Sequence, residues 1–244
     1  YHYLARGRLL TQISALSGEL IDPSASHASI EPIEKARSLL TSPILSAVDT
    51  RQERAQLALA QGYNYYASLP DLAIQCFAES FALCQVLGDR EGMAAAQLGL
   101  GRSYRTAGST EQAREALLAS LALYEEIGNV VGQSSVLAAL CSVATVQNRF
   151  ADAERFIRQS LTLIKPTDRH QRAYALGQLS VIQCYRGLFA EAEEAARGAL
   201  DTYRKEGHWM AGINMGRLSR IFLHQGRYEQ ALMLIDQALS TVQG

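Results

Sequence analysis

Long apolar runs are missing from this 244-residue chain. None reaches the roughly 20 residues that a membrane-spanning helix needs, and no basic stretch followed by an apolar one opens the sequence as a secretion signal would. An excess of one charge is missing too. Lys and Arg number 23 against 24 Asp and Glu, a net charge of -1 without the basic stripe that nucleic acid requires. Neither a membrane nor direct nucleic-acid contact is therefore expected. Cysteine is scarce, with four residues and no CxxC spacing. Cys76 and Cys84 lie eight apart on one predicted helix, a rise of roughly 12 Å that is too long for a disulfide. All four read as small buried hydrophobes of a reducing, cytoplasmic setting. His2, His27, His170, His208 and His224 are scattered, with none at i, i+4 or beside a cysteine, so no metal site is indicated. No G-x-x-x-x-G-K-[ST] occurs, and Gly99-Leu100-Gly101 lacks the third glycine of a dinucleotide fingerprint. No nucleophile stands at readable spacing from a base. The chain is expected to be neither an enzyme nor a cofactor carrier. It begins with Tyr1 and its last helix lacks a polar cap, which reads as a piece of a longer protein.

What the sequence has is a period. From Ala113, Leu117 lies four residues on, Ser120 seven and Leu121 eight. The same offsets give Phe77, Ser80 and Phe81 from Ala73, and Ile157, Ser160 and Leu161 from Ala153. Ala192 leads to Ala196, Ala199 and Leu200, and Ala231 to Ile235, Ala238 and Leu239. The five markers are spaced 40, 40, 39 and 39 apart, the signature of a repeat array. With 48% hydrophobic and 19% charged residues the array can build a continuous core. A one-carbon side chain at each marker lets two helices approach closely.

The spacing predicts pairs of helices. First helices are expected over 50–68, 91–107, 130–147, 169–186 and 209–225, and second helices over 71–87, 110–127, 150–165, 189–206 and 228–242. Turns within pairs fall at Ala107-Gly108-Ser109, Asn148-Arg149, Gly187-Leu188 and Gly226-Arg227. Turns between pairs fall at Gly88-Asp89, Gly128-Asn129, Pro166-Thr167-Asp168 and Gly207-His208. No strand alternation competes. Residues 1–49 fit the repeat poorly and are expected to form a divergent helical hairpin: helices over Tyr3–Leu16 and Glu31–Leu40, and a Ser, Ala, Asp and Pro-rich loop over Gly18–Ile30. Five repeats follow in residues 50–244, about 50–89, 90–129, 130–168, 169–207 and 208–244. Glu125-Glu126 and Glu193-Glu194 are expected on solvent-facing second helices.

Leu100, Gly101, Tyr104, Gly108, Ala113 and Leu117 resemble the L-G-x-x-Y … G … A-x-x-x-F pattern of the tetratricopeptide repeats, as do Phe222, Gly226, Tyr228, Ala231, Ile235 and Ala238. Phe150 and Phe189 hold the pattern's aromatic place in the third and fourth units. The resemblance covers about residues 50–242 and implies an all-α, right-handed superhelical solenoid of antiparallel helix pairs. The unit of 39–40 residues exceeds the family's usual 34. Long units ending in "LALYEEIGN" and "FALCQVLGD" look like the sensor arrays of the signal-transduction ATPases with numerous domains, the group of the maltose-regulon activator. In that group such an array follows an ATPase module, receives an inducer and helps hold the ATPase inactive.

The resemblance also implies a concave groove lined by the first helices. Its offsets give Tyr65 and Tyr66; Arg102, Arg105 and Thr106; Ser142 and Thr145; Tyr174 and Tyr185; and Arg220 and His224 as groove residues. Small residues such as Ala55, Ala58 and Gly62 would leave room for a ligand. The tyrosines offer flat faces with a polar tip, and Arg102 with Arg105, three apart on one helix, could fork onto a carboxylate or phosphate. The family's carboxylate-clamping co-chaperones need lysines and asparagines at places held here by Ala58 and Gly62, which argues against that activity. Two functions follow as expectations. The first is a regulatory sensor that binds a small-molecule or protein inducer and contacts an ATPase domain outside the chain. The second is a passive scaffold for a partner peptide or helix.

Overall fold

The computed structural model describes residues 30–41 and 49–242, and over these the chain is all-α. Eleven helices are described: α1 (Ile30–Leu40), α2 (Arg51–Tyr65), α3 (Pro70–Leu87), α4 (Arg90–Thr106), α5 (Thr110–Glu126), α6 (Val130–Val146), α7 (Phe150–Leu163), α8 (Arg169–Tyr185), α9 (Phe189–Lys205), α10 (Met210–His224) and α11 (Tyr228–Val242). The ten helices from α2 onward end within three residues of the expected bounds. The helix expected over 3–16 and the loop expected over 18–30 lie outside the described residues, except Ile30, which already begins α1 rather than ending the loop.

One local device ends seven of these helices. At Gly88, Gly108, Gly128, Asn148, Gly187, Gly207 and Gly226 the backbone turns left-handed. Each residue donates its N–H to the carbonyl three back, and the next residue donates to the carbonyl five behind itself, as Gly88 does to Gln85 and Asp89 to Cys84. That pair of bonds satisfies carbonyls the helix end would leave bare. Asn148, at φ 56°, fills the place without glycine because its short polar side chain tolerates the left-handed region. Two internal helices end otherwise: α2 closes right-handed at Tyr66, and α7 ends in an extended residue. Ile164 is extended there (φ -75°, ψ 124°) and Pro166 follows, so the chain leaves the helix by restriction rather than by a left-handed turn. Two starts are capped at matching places: the Asp89 carboxylate accepts from the Gly92 N–H and the Asn129 side chain from the Gly132 N–H, each at 2.9 Å.

The chain divides into two compact units, residues 1–132 and 133–244. In the first, the Phe77 ring of α3 is clasped by glycines of two other helices. A Cβ on Gly62 of α2 would lie 2.6 Å from that ring, and one on Gly99 of α4 closer still. Ala73, Leu100 and Ala116 complete this core, with Tyr63, Tyr65, Tyr66 and Tyr104 packed around it. In the second unit one cluster gathers Ala153, Ile157, Cys141 and Ile182, and another Ala192, Ala196, Leu218 and Phe222. All five marker alanines are fully buried. The residue seven beyond the marker has its own role. Ser80, Ser120 and Ser160 donate across each helix pair to the carbonyls of Ala55, Ala94 and Ser134, at 2.9, 2.7 and 2.9 Å. A buried hydroxyl thereby pins second helix to first in three successive pairs.

Candidate functional site

In the first unit, Tyr65 and Tyr66 close α2 while Arg102, Arg105 and Thr106 lie on the last turns of α4. The tyrosines are half-buried against the Phe77 core. Tyr63, absent from the expected set, is the ring that stacks edge-on to Phe77, with centroids 5.1 Å apart. Burial pushes its phenol pKa up, and the nearby Arg102 guanidinium opposes the shift. Arg102 and Arg105 form no ion pair with a described residue, whereas Arg90 at the other end of α4 pairs with Glu126. The Thr106 hydroxyl is spent on its own helix, donating to the Arg102 carbonyl at 3.1 Å. Ala55, Ala58 and Gly62 do not open a space. They are buried, and Gly62 is the seat of the Phe77 ring.

In the second unit Ser142 and Thr145 donate to the Ala138 and Cys141 carbonyls of α6, at 3.1 and 2.8 Å. Tyr174 and Tyr185, from the two ends of α8, are 39% and 54% exposed. Tyr174 Oη accepts from Gln178 Nε2 at 3.0 Å, and Tyr185 stacks on Phe150 at 5.1 Å with 15° between the planes. Arg220 of α10 donates to Tyr185 Oη at 3.3 Å, and His224 stacks on Phe189 at 5.7 Å.

The residue the sequence reading missed is Arg217, one turn before Arg220. It is half-buried and donates to Asn214 Oδ1 at 3.1 Å. Burial pulls its pKa down, and the neighbouring Arg220 charge acts in the same direction, against the pull of Tyr174 and Tyr203. Gly177 of α8 makes room for it, since a Cβ there would run into the guanidinium. A crevice of only about 10 Å³ separates the two helices, lined by Ser180, Cys184, Tyr185, Arg217 and Arg220. The signal was available: Arg217 and Arg220 repeat the spacing of Arg102 and Arg105. A guanidinium partly withdrawn from water with no carboxylate against it is an anion's counterpart, because an uncompensated buried charge costs several kcal/mol, roughly.

Glu193 corrects an expectation. It does not face open solvent as its neighbour Glu194 does: its side chain is 18% exposed and held by Arg197 at 2.8 Å and Arg227 at 2.6 Å. Burial works to raise its pKa, but hydrogen bonds from the two guanidiniums outweigh this and hold it below the ordinary carboxylate value. The histidines are less scattered than the sequence suggests. His170 and His208 approach to 5.1 Å between ring centroids, beside Tyr203 and Trp209. His208 Nδ1 accepts from the Met210 N–H, and His170 pairs with Glu206. Among the described residues no group of three His, Cys, Asp or Glu side chains could hold a metal ion. The thiols are unsuited to nucleophilic work. Burial raises all four, Cys141 to about 12, and the thiolate is the reactive form. No helix among the described residues is long and apolar enough to cross a membrane.

Residues 51–126 match the family model described as Tetratricopeptide repeat. The sequence matches no curated protein. Among solved structures the chain is similar to NprR in complex with its cognate peptide NprX, with a TM-score of 0.74 at 11% identity over 98% of this chain and 67% of that one. It is similar to a Rap protein complexed with Competence and Sporulation Factor, with a TM-score of 0.72 at 12% identity over 96% and 77% of the two chains. It is also similar to a Signal Transduction ATPase with Numerous Domains with a tetratricopeptide repeat sensor from Pyrococcus horikoshii, with a TM-score of 0.70 at 13% identity. That match covers 96% of this chain and 36% of the other, so the chain spans about a third of the ATPase's length. At these identities the likeness is one of fold.

Proposed function

We propose that this chain, whose residues 51–126 are tetratricopeptide repeats, is a non-catalytic module that captures a peptide or protein segment by an anionic group and serves as the sensor of a larger regulator. One observation carries the reading. Two pairs of arginines one turn apart, Arg102 with Arg105 and Arg217 with Arg220, stand on first helices without a described carboxylate partner and beside tyrosines. Most other arginines of second helices and turns are paired, as Arg114 is with Glu111 and Arg197 with Glu193. A fork of guanidiniums accepts a carboxylate or phosphate, and the tyrosine rings supply apolar surface beside it.

The structural neighbours support the choice of ligand class. NprR is seen with its cognate peptide NprX and the Rap protein with Competence and Sporulation Factor, and the Pyrococcus horikoshii ATPase carries a tetratricopeptide repeat sensor. In the regulator reading, an inducer held at these arginines changes how the array contacts an ATPase domain, and can do so only through different affinity for two states. The test is a thermal-shift screen of the chain against short peptides with free C-termini, nucleotides and small metabolites. The variants Arg102→Ala/Arg105→Ala and Arg217→Ala/Arg220→Ala are run in parallel. A ligand at 100 times its Kd stabilises the native state by about 2.7 kcal/mol. The expected result is a shift with an anionic peptide that one of the double variants abolishes. A shift that both variants keep, or none with any compound, overturns the reading.

A further inference from the structure

In the second unit, second helix α7 bears a shallow open cavity of about 480 Å³, formed with Arg186 from the end of α8. Its lining runs along one stripe of α7, from Ala151 through Arg155 and Arg158 to Thr162. The charge around it does not balance. Glu154, with 9% of its side chain exposed, is shared by two guanidiniums, Arg158 and Arg186. Asp152 is likewise shared by Arg149 at 2.6 Å and Arg155 at 3.1 Å. Each trio has two positive charges for one negative, so the patch keeps about two unspent. Residues 149–186 as a whole carry seven Lys and Arg against three Asp and Glu, while the rest of the chain carries 16 against 21. A chain of net charge -1 thus holds a basic island.

We propose that this cavity is a docking site for an acidic polypeptide segment, separate from the arginines of the first helices. The buried Glu154 fixes Arg158 and Arg186 in place, so their outward N–H groups are oriented before a ligand arrives, which lowers the ordering cost of binding. The stripe repeats every three to four residues, matching carboxylates spaced along one side of a partner segment. An excess of about two charges suits a few carboxylates rather than a polynucleotide backbone, whose binding scales with many neutralised phosphates. The next repeat provides an internal comparison. Glu193 is shared by Arg197 and Arg227 in the same way, yet Arg227, 35% exposed, lies 4.0 Å from the Phe222 ring and is occupied in packing.

The probe is fluorescein-labelled hexaglutamate, followed by fluorescence anisotropy on the full chain at low and physiological salt. Arg155→Gln/Arg158→Gln is expected to weaken binding at least tenfold. Thr162→Glu, an exposed position that leaves both ion trios intact, is expected to weaken it several-fold as well. Arg197→Gln and Arg114→Gln, at paired arginines outside the cavity, are expected to change it less than twofold. Arg102→Ala/Arg105→Ala is the background for a second comparison, in which Arg155→Gln/Arg158→Gln is expected to keep its tenfold effect, which separates this site from the function proposed above. No binding at low salt overturns the proposal, as does an equal loss in Arg197→Gln. Loss in the Arg102/Arg105 variant alone transfers the probe to the first helices. Displacement by single-stranded DNA more readily than by unlabelled hexaglutamate replaces the acidic segment with a nucleic acid.

Discussion

Gly99 and Gly216 both lie inside helices, and the space around them differs completely. A methyl group on Gly99 would press into the Phe77 ring, well inside van der Waals contact, whereas one on Gly216 would meet nothing within 4 Å. Overpacking a core costs about 1–3 kcal/mol, and alanine recovers up to about 1 kcal/mol of helix propensity over glycine. Gly99→Ala is therefore expected to lower stability by about 1–2 kcal/mol, read as a fall in the urea midpoint. Gly216→Ala is expected to raise it by up to about 1 kcal/mol. Equal effects from the two would mean that Phe77 does not need its glycine seats. The same contrast separates the arginines. Arg114, partly exposed, has a carboxylate partner and is worth little, while Arg217 loses water without gaining a carboxylate, which is why the proposed function rests on it.

Successive helix pairs are joined by carboxylates, largely withdrawn from water, that neighbouring arginines share. Glu193 of α9 joins Arg197 of its own helix to Arg227 at the next turn, and Glu154 of α7 does the same with Arg158 and Arg186. Because the Glu193 carboxyl is held below its ordinary value when folded, its stabilisation is complete above the ordinary carboxylate range. It is lost as pH falls through the lowered folded value. Glu193→Gln is expected to cost about 1–2 kcal/mol at pH 7. The gap between wild type and variant in urea midpoint should close as pH is lowered from 7 to 3; a gap that stays constant would show that ionisation of Glu193 contributes nothing. These links were not legible in the sequence, although the helices were. Turns and marker alanines depend on residues within one or two turns of each other, so Gly108 and Ala113 announce themselves locally. The Glu193–Arg227 pair and the His170–His208 approach join residues 34 and 38 apart, across a whole repeat, where spacing carries no instruction about which side chains meet. The candidate site fell between these cases. Arg102, Arg105 and Arg220 came from the groove offsets that the resemblance to the repeat family implies, but the half-burial that singles out Arg217 comes from α8 and α10 packing with Gly177 between them.

Stability in a chain of stacked repeats is a sum of local terms and nearest-neighbour terms, so a lesion need not be felt uniformly. The cysteines provide a readout for each of the two compact units. Cys84 is buried in the first, and Cys141 and Cys184 in the second. Burial raises all three thiols, so alkylation at neutral pH is slow until the surrounding helices open. Ala153 shares a core cluster with Cys141, and Ala153→Leu overfills a fully buried position at a cost of about 1–3 kcal/mol. In that variant, iodoacetamide labelling along a urea gradient is expected to reach Cys141 at lower urea than Cys84, with Cys84 close to its wild-type midpoint. Coincident shifts at both cysteines would mean that the units unfold as one cooperative block, and that neighbour coupling exceeds the cost of the substitution. An unshifted Cys141 midpoint would mean that α7 does not press Ala153 into the core, and with it that the 39–40-residue register of the repeats is misplaced.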